Sequence, residues 1–382
     1  MVIFFLTPGF TKNVLGYRVS FEKLTDMVKE SADKNRTSKT DKEPEDKETK
    51  PEFKDEALPR IGISLPTADL RRWKIDGDLM VGELNAMGYD AAVSYAANDI
   101  VTQVEQISNF INEGCEVLIV AAIDGDSLGE VMFDASLHGI PVIAYDRLIY
   151  NTDDVSYYVT FDEYLVGVLQ GRYVALALDL ENAEGPFNIE FTAGNLSDDN
   201  SKYYYNGARD ALHKYIDSGV LTIGSDQMRY ADAATEGWST EEAKTRAAGI
   251  IEDFYSDGTF VDAWICSNDS TALGVIEALE ENYDGEYPVV TGLDCDLANV
   301  KKIIEGKQAM SVFKDSRILA LRTVQMADQI VSGKKVDVNS YTRYNNGVKT
   351  LEAYLCDPVF VDADNYEEAL IDPGYYFEEM LR

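Results

Sequence analysis

Residues 139–151 read Gly-Ile-Pro-Val-Ile-Ala-Tyr-Asp-Arg-Leu-Ile-Tyr-Asn. From Ile140 to Tyr145 the run is continuously apolar and is entered through a Gly-Ile-Pro turn. Such a run reads as a short strand buried on both faces, as parallel sheets require. Its continuation turns polar at once, with Asp146 and Arg147 and then Asn151. Charged groups directly after a buried strand lie at the carboxyl edge of a sheet, where open α/β folds bind ligands. On this stretch alone, an Asp-Arg pair that tidies a loop explains the residues as well as a site does. How the other strands end decides between the two readings.

Working outward, residues 60–66 read as a strand and 74–88 as a helix, with Ile75, Leu79, Met80, Leu84 and Met87 at helical spacing. Residues 89–96 form a second strand, and Asn98 or Asp99 offers an N-cap to a helix ending near Glu113. A third strand at 117–123 and a helix at 128–138 lead into the opening strand. After an extended run at 155–161, strand patterns recur at 187–192, 221–225, 263–267, 289–293 and 309–313, with helical patterns between them. A final helix spans 316–333. Strands alternating with helices at this interval give parallel strands with crossover helices, and there is enough chain for two doubly wound sheets.

The strand ends carry the functional signal. Arg71, Arg72 and Trp73 follow the first strand, Asp124 the third, and Asp146 and Arg147 the fourth. Further on, Asp198, Asp199 and Asn200 follow residue 192, Asn268 and Asp269 follow 267, Asp294 follows 293, and Lys314 follows 313. Singly, each is more often a helix cap or a loop ion pair, and Asp269 before Ser270 fits a cap especially well. Together they describe a cleft for a small neutral polyol. Sugar hydroxyls both donate and accept, so carboxylates, amides and cations can all pair with them, and charged partners strengthen the bonds. The apolar face of a pyranose packs on an aromatic ring, which Trp73 can supply.

Composition sets bounds. The chain has 382 residues, with 34 Lys+Arg, 68 Asp+Glu and a formal net charge of −34, a length that suits two lobes and a tail. Residues 1–56 hold 11 of the basic and 12 of the acidic residues, so nearly all the excess lies in the body. That surface repels nucleic acid and anionic membranes. Cys115, Cys266, Cys295 and Cys356 show no metal or redox spacing, and Cys115 and Cys266 read as semi-buried thiols, with one disulfide left open. His138 and His213 fall within helical patterns, which argues against His-centred chemistry. No cofactor or metal is expected. Near the start, residues 2–6 are apolar but too few to span a bilayer and make a poor signal peptide, and no lipobox is visible. A helix is expected near 19–29, and the Lys/Asp/Glu-rich stretch 32–52 reads as a solvated linker.

From Pro59 onward the chain resembles the periplasmic sugar-binding proteins of the ribose/xylose class, type I periplasmic binding proteins, and most of all their xylose- and multiple-sugar-binding members. The resemblance rests on residues 67–73, Ile123-Asp124-Gly125, Tyr145-Asp146-Arg147-Leu148-Ile149, residues 155–162 and Ser197-Asp198-Asp199-Asn200. Phe313-Lys314-Asp315, Asn346-Gly347-Val348-Lys349 and Gly374-Tyr375-Tyr376 add to it. It implies that Arg72 bonds the sugar and Trp73 stacks on it, with Trp238 sandwiching the ring from the other lobe. Asp124, Asp146, Asn200, Asn268, Asp269, Asp294 and Lys314 are implied polar contacts, with Arg147 and Asn151 beside them. Leu293 and Glu163 depart from the family pattern, Glu163 by replacing an amide.

The resemblance further implies two lobes joined by three crossings, near 161–163, 313–314 and 332–341. The N-terminal lobe is then 59–161 with 315–334, and the C-terminal lobe 162–314 with 335–382, after a tail at 1–58. It implies a monomeric, extracytoplasmic, non-catalytic receptor for an aldohexose or aldopentose such as xylose, glucose or galactose. Closing over the ligand, it would deliver the sugar to an ABC transporter permease, with a chemoreceptor or sensor kinase as a further partner. Two other functions fit the same residues less well. In a glycosidase, the Arg and Lys beside the carboxylates would depress rather than raise an acid's pKa. In a sugar-responsive regulator, a basic helix-turn-helix would stand where the near-neutral linker does.

Overall fold

The computed structural model describes residues 57–382. The apolar stretch at 2–6, the helix expected near 19–29 and the linker at 32–52 lie outside the described residues. In chain order the first elements are β1 (Arg60–Leu65), α1 (Arg71–Ala86), β2 (Asp90–Tyr95), α2 (Ile100–Asn112), β3 (Val117–Val120), α3 (Gly129–Leu137), β4 (Val142–Tyr145) and β5 (Tyr157–Phe161). Next come α4 (Glu163–Ala177), β6 (Phe187–Thr192), α5 (Asp199–Asp217), β7 (Leu221–Ile223), α6 (Tyr230–Ala233), α7 (Thr240–Phe254) and β8 (Ala263–Cys266). These lead to α8 (Asp269–Asn282), β9 (Val289–Val290), α9 (Leu297–Ile304) and β10 (Met310–Phe313). The chain ends with α10 (Ser316–Val331), β11 (Ala353–Cys356), β12 (Val359–Asp362) and α11 (Glu378–Leu381).

The described chain forms two compact units. The first runs to Phe161 and resumes over Asp315–Cys356; the second comprises Asp162–Lys314 and Asp357–Arg382. In the first unit a six-stranded sheet has the order β11-β5-β4-β3-β1-β2, and every pairing in it is parallel. β3 and β4 are buried along their whole length. Their side chains alternate, with Val117, Ile119, Ile143 and Tyr145 in one apolar cluster and Leu118, Val120, Val142 and Ala144 in another. The period of two therefore feeds a core on each face of the sheet, which is why the strands read as unbroken apolar runs. Asp99 caps α2 through the Thr102 amide at 3.0 Å.

The second unit carries the order β7-β6-β8-β9, all parallel. β10 pairs antiparallel with β12, and an isolated parallel bridge joins Leu293 to Val312. One boundary differs from the sequence reading. Residues 335–356 pack with the first unit rather than the second, so the third passage follows Cys356 and not 332–341. The physical reason is β11, which adds to the edge of the first sheet beside β5. Val336, Tyr344 and Leu351 are buried in that unit's apolar clusters. All four cysteines are buried and free, Cys115 and Cys266 more deeply than expected.

Candidate functional site

In the first unit the candidate residues gather at the ends of β3 and β4. The Tyr145 carbonyl accepts from the Arg147 amide at 2.6 Å, across Asp146 at φ 63°. That is a γ-turn with a positive central φ, a rare and strained conformation. Strain of this kind concentrates at functional sites, where surrounding structure holds it in place. Here Asp146 is held by the Val159 carbonyl, which accepts its amide at 2.8 Å, and by the Tyr158 hydroxyl, which donates to its carbonyl at 2.9 Å. Its carboxylate accepts from Arg72 Nη2 at 2.6 Å. Arg147 instead sends Nη1 to the Ala122 carbonyl at 3.2 Å.

Arg72 sits in the first turn of α1 and also lies 3.6 Å from Asp76. Burial works against its charge, but Asp146 and Asp76 outweigh that and raise its pKa above the ordinary value. Trp73 differs from the open stacking platform expected. It is 2% exposed, meets Tyr145 edge-on at 6.3 Å, and has the guanidiniums of Arg72 and Arg147 at 4.8 and 5.3 Å from its ring centroid. The adjoining loops are chained together. Asn151 donates to Asp126 at 2.6 Å, and the Asp126 amide donates to Asp124 at 3.0 Å. Asp124 thus has the cap role, and its bond from Ser127 holds its pKa below the usual carboxylate range.

In the second unit, Lys314 at the end of β10 donates to Glu163 at 3.1 Å and to the Tyr204 hydroxyl at 3.0 Å. Tyr204 lies 6.3 Å from Trp238, ring to ring. The Trp238 indole donates to Asp198 at 3.2 Å, and Asp198 accepts the Asn200 amide at 2.9 Å as the cap of α5. Lys314, Tyr204, Trp238 and Asn200 are therefore one connected group. Gly194 is required beneath the indole, because a Cβ there would lie 2.1 Å from the ring. Asp294 is exposed at φ 101°, followed by Cys295 at φ 53°.

Two residues of that unit stand apart. Asn268 makes a capping box with Thr271 at the start of α8. Asp269 is wholly buried and accepts from Gln308, Ser311 and the Asp296 amide at 2.9, 2.9 and 2.8 Å. Burial, reinforced by Asp294, pushes its pKa well up. Its oxygens are committed to protein donors, so it braces the loop that presents Asp294.

Sequence reasoning missed three supporting residues. Asp76 lay inside an amphipathic helix pattern, and only its i+4 spacing from Arg72 hinted at a role. Asn346 is buried; its amide donates to the Ile149 and Thr152 carbonyls at 3.2 and 2.7 Å, and its carbonyl accepts the Asn151 amide at 2.7 Å. Tyr376 donates to the Cys295 carbonyl at 3.0 Å. The motifs around Asn346 and Tyr376 were visible in the sequence, but not what they hold.

Residues 61–335 match the family model described as a periplasmic binding protein domain. The multiple sugar-binding periplasmic protein SbpA of Azospirillum brasilense is 42% identical over 328 residues, covering 85% of this chain and 91% of that protein. The D-xylose-binding periplasmic protein of Escherichia coli is 32% identical over 323 residues, covering 84% and 92%. The crystal structure of an ABC transporter solute binding protein from Clostridium phytofermentans with bound β-D-glucose is 52% identical. It matches at TM-score 0.71, over 85% of this chain and all of that one.

Proposed function

Because the chain belongs to the periplasmic binding protein domain family, we propose that it captures a monosaccharide outside the cytoplasm and delivers it to an ABC-type sugar importer. It is a binding protein and not an enzyme, as its multiple-sugar- and xylose-binding relatives are. The observation that carries the reading is the meeting of Arg72, Asp146 and Arg147 at the end of β4. Fixed donors and acceptors stand side by side there, on a backbone held in a strained turn. A neutral sugar suits such a set because each hydroxyl can accept from a guanidinium and donate to a carboxylate.

In the first unit Arg72 and Arg147 donate and Asp146 accepts; in the second, Asp294 accepts and Trp238 covers apolar ring surface, while Lys314 is held by Glu163 and Tyr204 and steadies that group. Asp124, Asn151 and Asn200 shape the loops around them, Trp73 supports the guanidiniums from beneath, and Asn268 and Asp269 hold the second unit's loops. Among the described residues, no helix is long and apolar enough to cross a membrane.

A thermal-shift and calorimetry panel of aldohexoses and aldopentoses tests the proposal. Ligand at about 100 times Kd stabilises the native state by about 2.7 kcal/mol, so one or more of glucose, xylose and galactose is expected to raise Tm by several degrees. No shift with any monosaccharide overturns it.

A further inference from the structure

Asp76 is a carboxylate with no exposed surface in the core of the first unit. A buried charge is costly unless it is paired and hydrogen-bonded, so its partners indicate what it does. Oδ2 accepts from the Tyr145 hydroxyl at 2.8 Å and stands 3.6 Å from Nε of Arg72, one helical turn earlier. Oδ1 accepts from the Ser316 hydroxyl at 2.6 Å. Arg72 extends Nη2 to Asp146 from its other side, so two carboxylates hold the guanidinium at two edges. Tyr145, fixed by the same Asp76, is the residue immediately before Asp146 and supplies the carbonyl of its γ-turn.

We propose that Asp76 is a positioning residue for sugar recognition: it orients the donor Arg72 directly and the acceptor Asp146 through Tyr145. The inference rests on the sugar-binding reading of the Arg72–Asp146 pair. Serving both members of the pair from one anchor fixes their spacing, and a rigid spacing favours the hydroxyl pattern it matches. Ser316, at the start of α10, ties the anchor to the chain just after it re-enters the first unit at Asp315.

The sugar is neutral, so the pH dependence of its binding reports on the protein's groups. Those facing Asp76 are Arg72 on its own helix, Tyr145 and Asp146 at the end of β4, and Tyr95 on β2; α10 offers the uncharged Ser316 hydroxyl. Arg72 and the tyrosines keep one protonation state from pH 4 to 8, whereas burial raises the pKa of Asp76, so acidification takes away the charge that orients Arg72. The test is Asp76→Asn in the full chain, with Kd for the tightest-binding sugar of the panel measured across that range. Affinity about tenfold weaker at neutral pH is expected, as for a lost hydrogen bond to a charged group, together with a flattened acid limb. An unchanged Kd with the wild-type pH profile overturns the proposal. Should Asp76→Asn fail to fold, Tyr145→Phe keeps the ring and removes one donor to Asp76; about threefold weaker binding is expected, and an unchanged Kd is again fatal. If no sugar binds the wild type, the functional reading fails by itself. Asp76 is then judged on the Arg72 Nε–H NMR signal of ligand-free protein, which slows in solvent exchange only if the carboxylate orients it. A signal unaltered by Asp76→Asn refutes the role.

Discussion

The two units hold their leading cations in opposite ways. In the first, Arg72 pairs with Asp146, and the side chains remain 42% and 17% exposed. In the second, Lys314 pairs with Glu163 at 19% and 5%. The first pair joins two residues that the strand ends had marked as candidate contacts, and both keep surface that a ligand can reach. The second joins a candidate contact to Glu163, which the sequence had marked only as a departure from the family pattern. Exposed pairs are weak and exchange partners readily, whereas buried pairs are costly to break because the survivor is left uncompensated. If the proposed function holds, the same charge chemistry serves recognition in one unit and scaffolding in the other. The indoles reverse this order, since Trp73 is core and Trp238 is half-buried.

That contrast can be broken most sharply at the tryptophans. Trp73→Ala removes a fully packed ring from beneath two guanidiniums and is expected to cost about 3–5 kcal/mol of stability by urea unfolding. Trp238→Ala is expected to cost clearly less and to act mainly on sugar affinity. Equal losses would mean that burial does not separate the two rings. Next in size is Glu163→Leu, which leaves the Lys314 ammonium without its acid and should destabilise by about 3 kcal/mol. Glu163→Gln keeps an acceptor and should cost less; if both variants are neutral, the second unit's pair is not scaffolding.

These contrasts also show what the sequence could and could not disclose. Apolar runs such as residues 140–145 made the parallel sheets legible, because burial on both faces leaves no polar position in the strand. The residue types at strand ends were legible too, since Asp146, Asp294 and Lys314 interrupt that pattern abruptly. Which cation meets which anion was not legible. Arg147 adjoins Asp146 in sequence, yet Arg72, 74 positions away, makes the bond. Pairing of that kind is set by the packing of α1 on the sheet, which no local pattern encodes. Asp269 illustrates the same limit. Taken singly it fitted a cap best, and together with the other strand ends a contact; its burial against Gln308 and Ser311 assigns it to bracing instead. The third passage was misplaced for a related reason, because β11 is a four-residue edge strand whose assignment depends on which sheet it joins.

The exposed pair gives the converse of the Glu163 result. Arg72→Ala gives up the exposed bond to Asp146, expected to be worth about 1 kcal/mol or less as for surface ion pairs. It also takes the cation from the buried Asp76, so it is read in an Asp76→Asn background where that second cost is absent. Its effect on sugar affinity should be larger, about 2 kcal/mol, because a charged donor to the ligand is lost. Calorimetry and urea unfolding on the same variant read the two quantities separately. A loss of stability exceeding the loss of affinity would place Arg72 with the scaffold and erase the distinction between the units.

The smallest expected effect is confined to a narrow pH window in the second unit. Asp362, at the end of β12, is raised from 3.8 to about 6, first by burial and then by Asp364, against bonds from the Asp364 and Asn365 backbone and from Tyr173. Between those two values the native state binds more protons than the unfolded chain, so stability falls as pH rises through the window. Above about pH 6 the cost of the ionised carboxylate is fully present, and below about pH 4 it is absent. Asp362→Asn should therefore flatten this part of the stability–pH curve. Asp76 and Asp269 are raised by burial as well, so the wild-type slope alone does not identify the group; the difference between the variant and wild-type curves does. Parallel curves would show that Asp362 keeps its ordinary pKa. The burial that makes Glu163 scaffolding would then not extend to the antiparallel pair β10–β12, and the contrast between the units would narrow to the Lys314 pair itself.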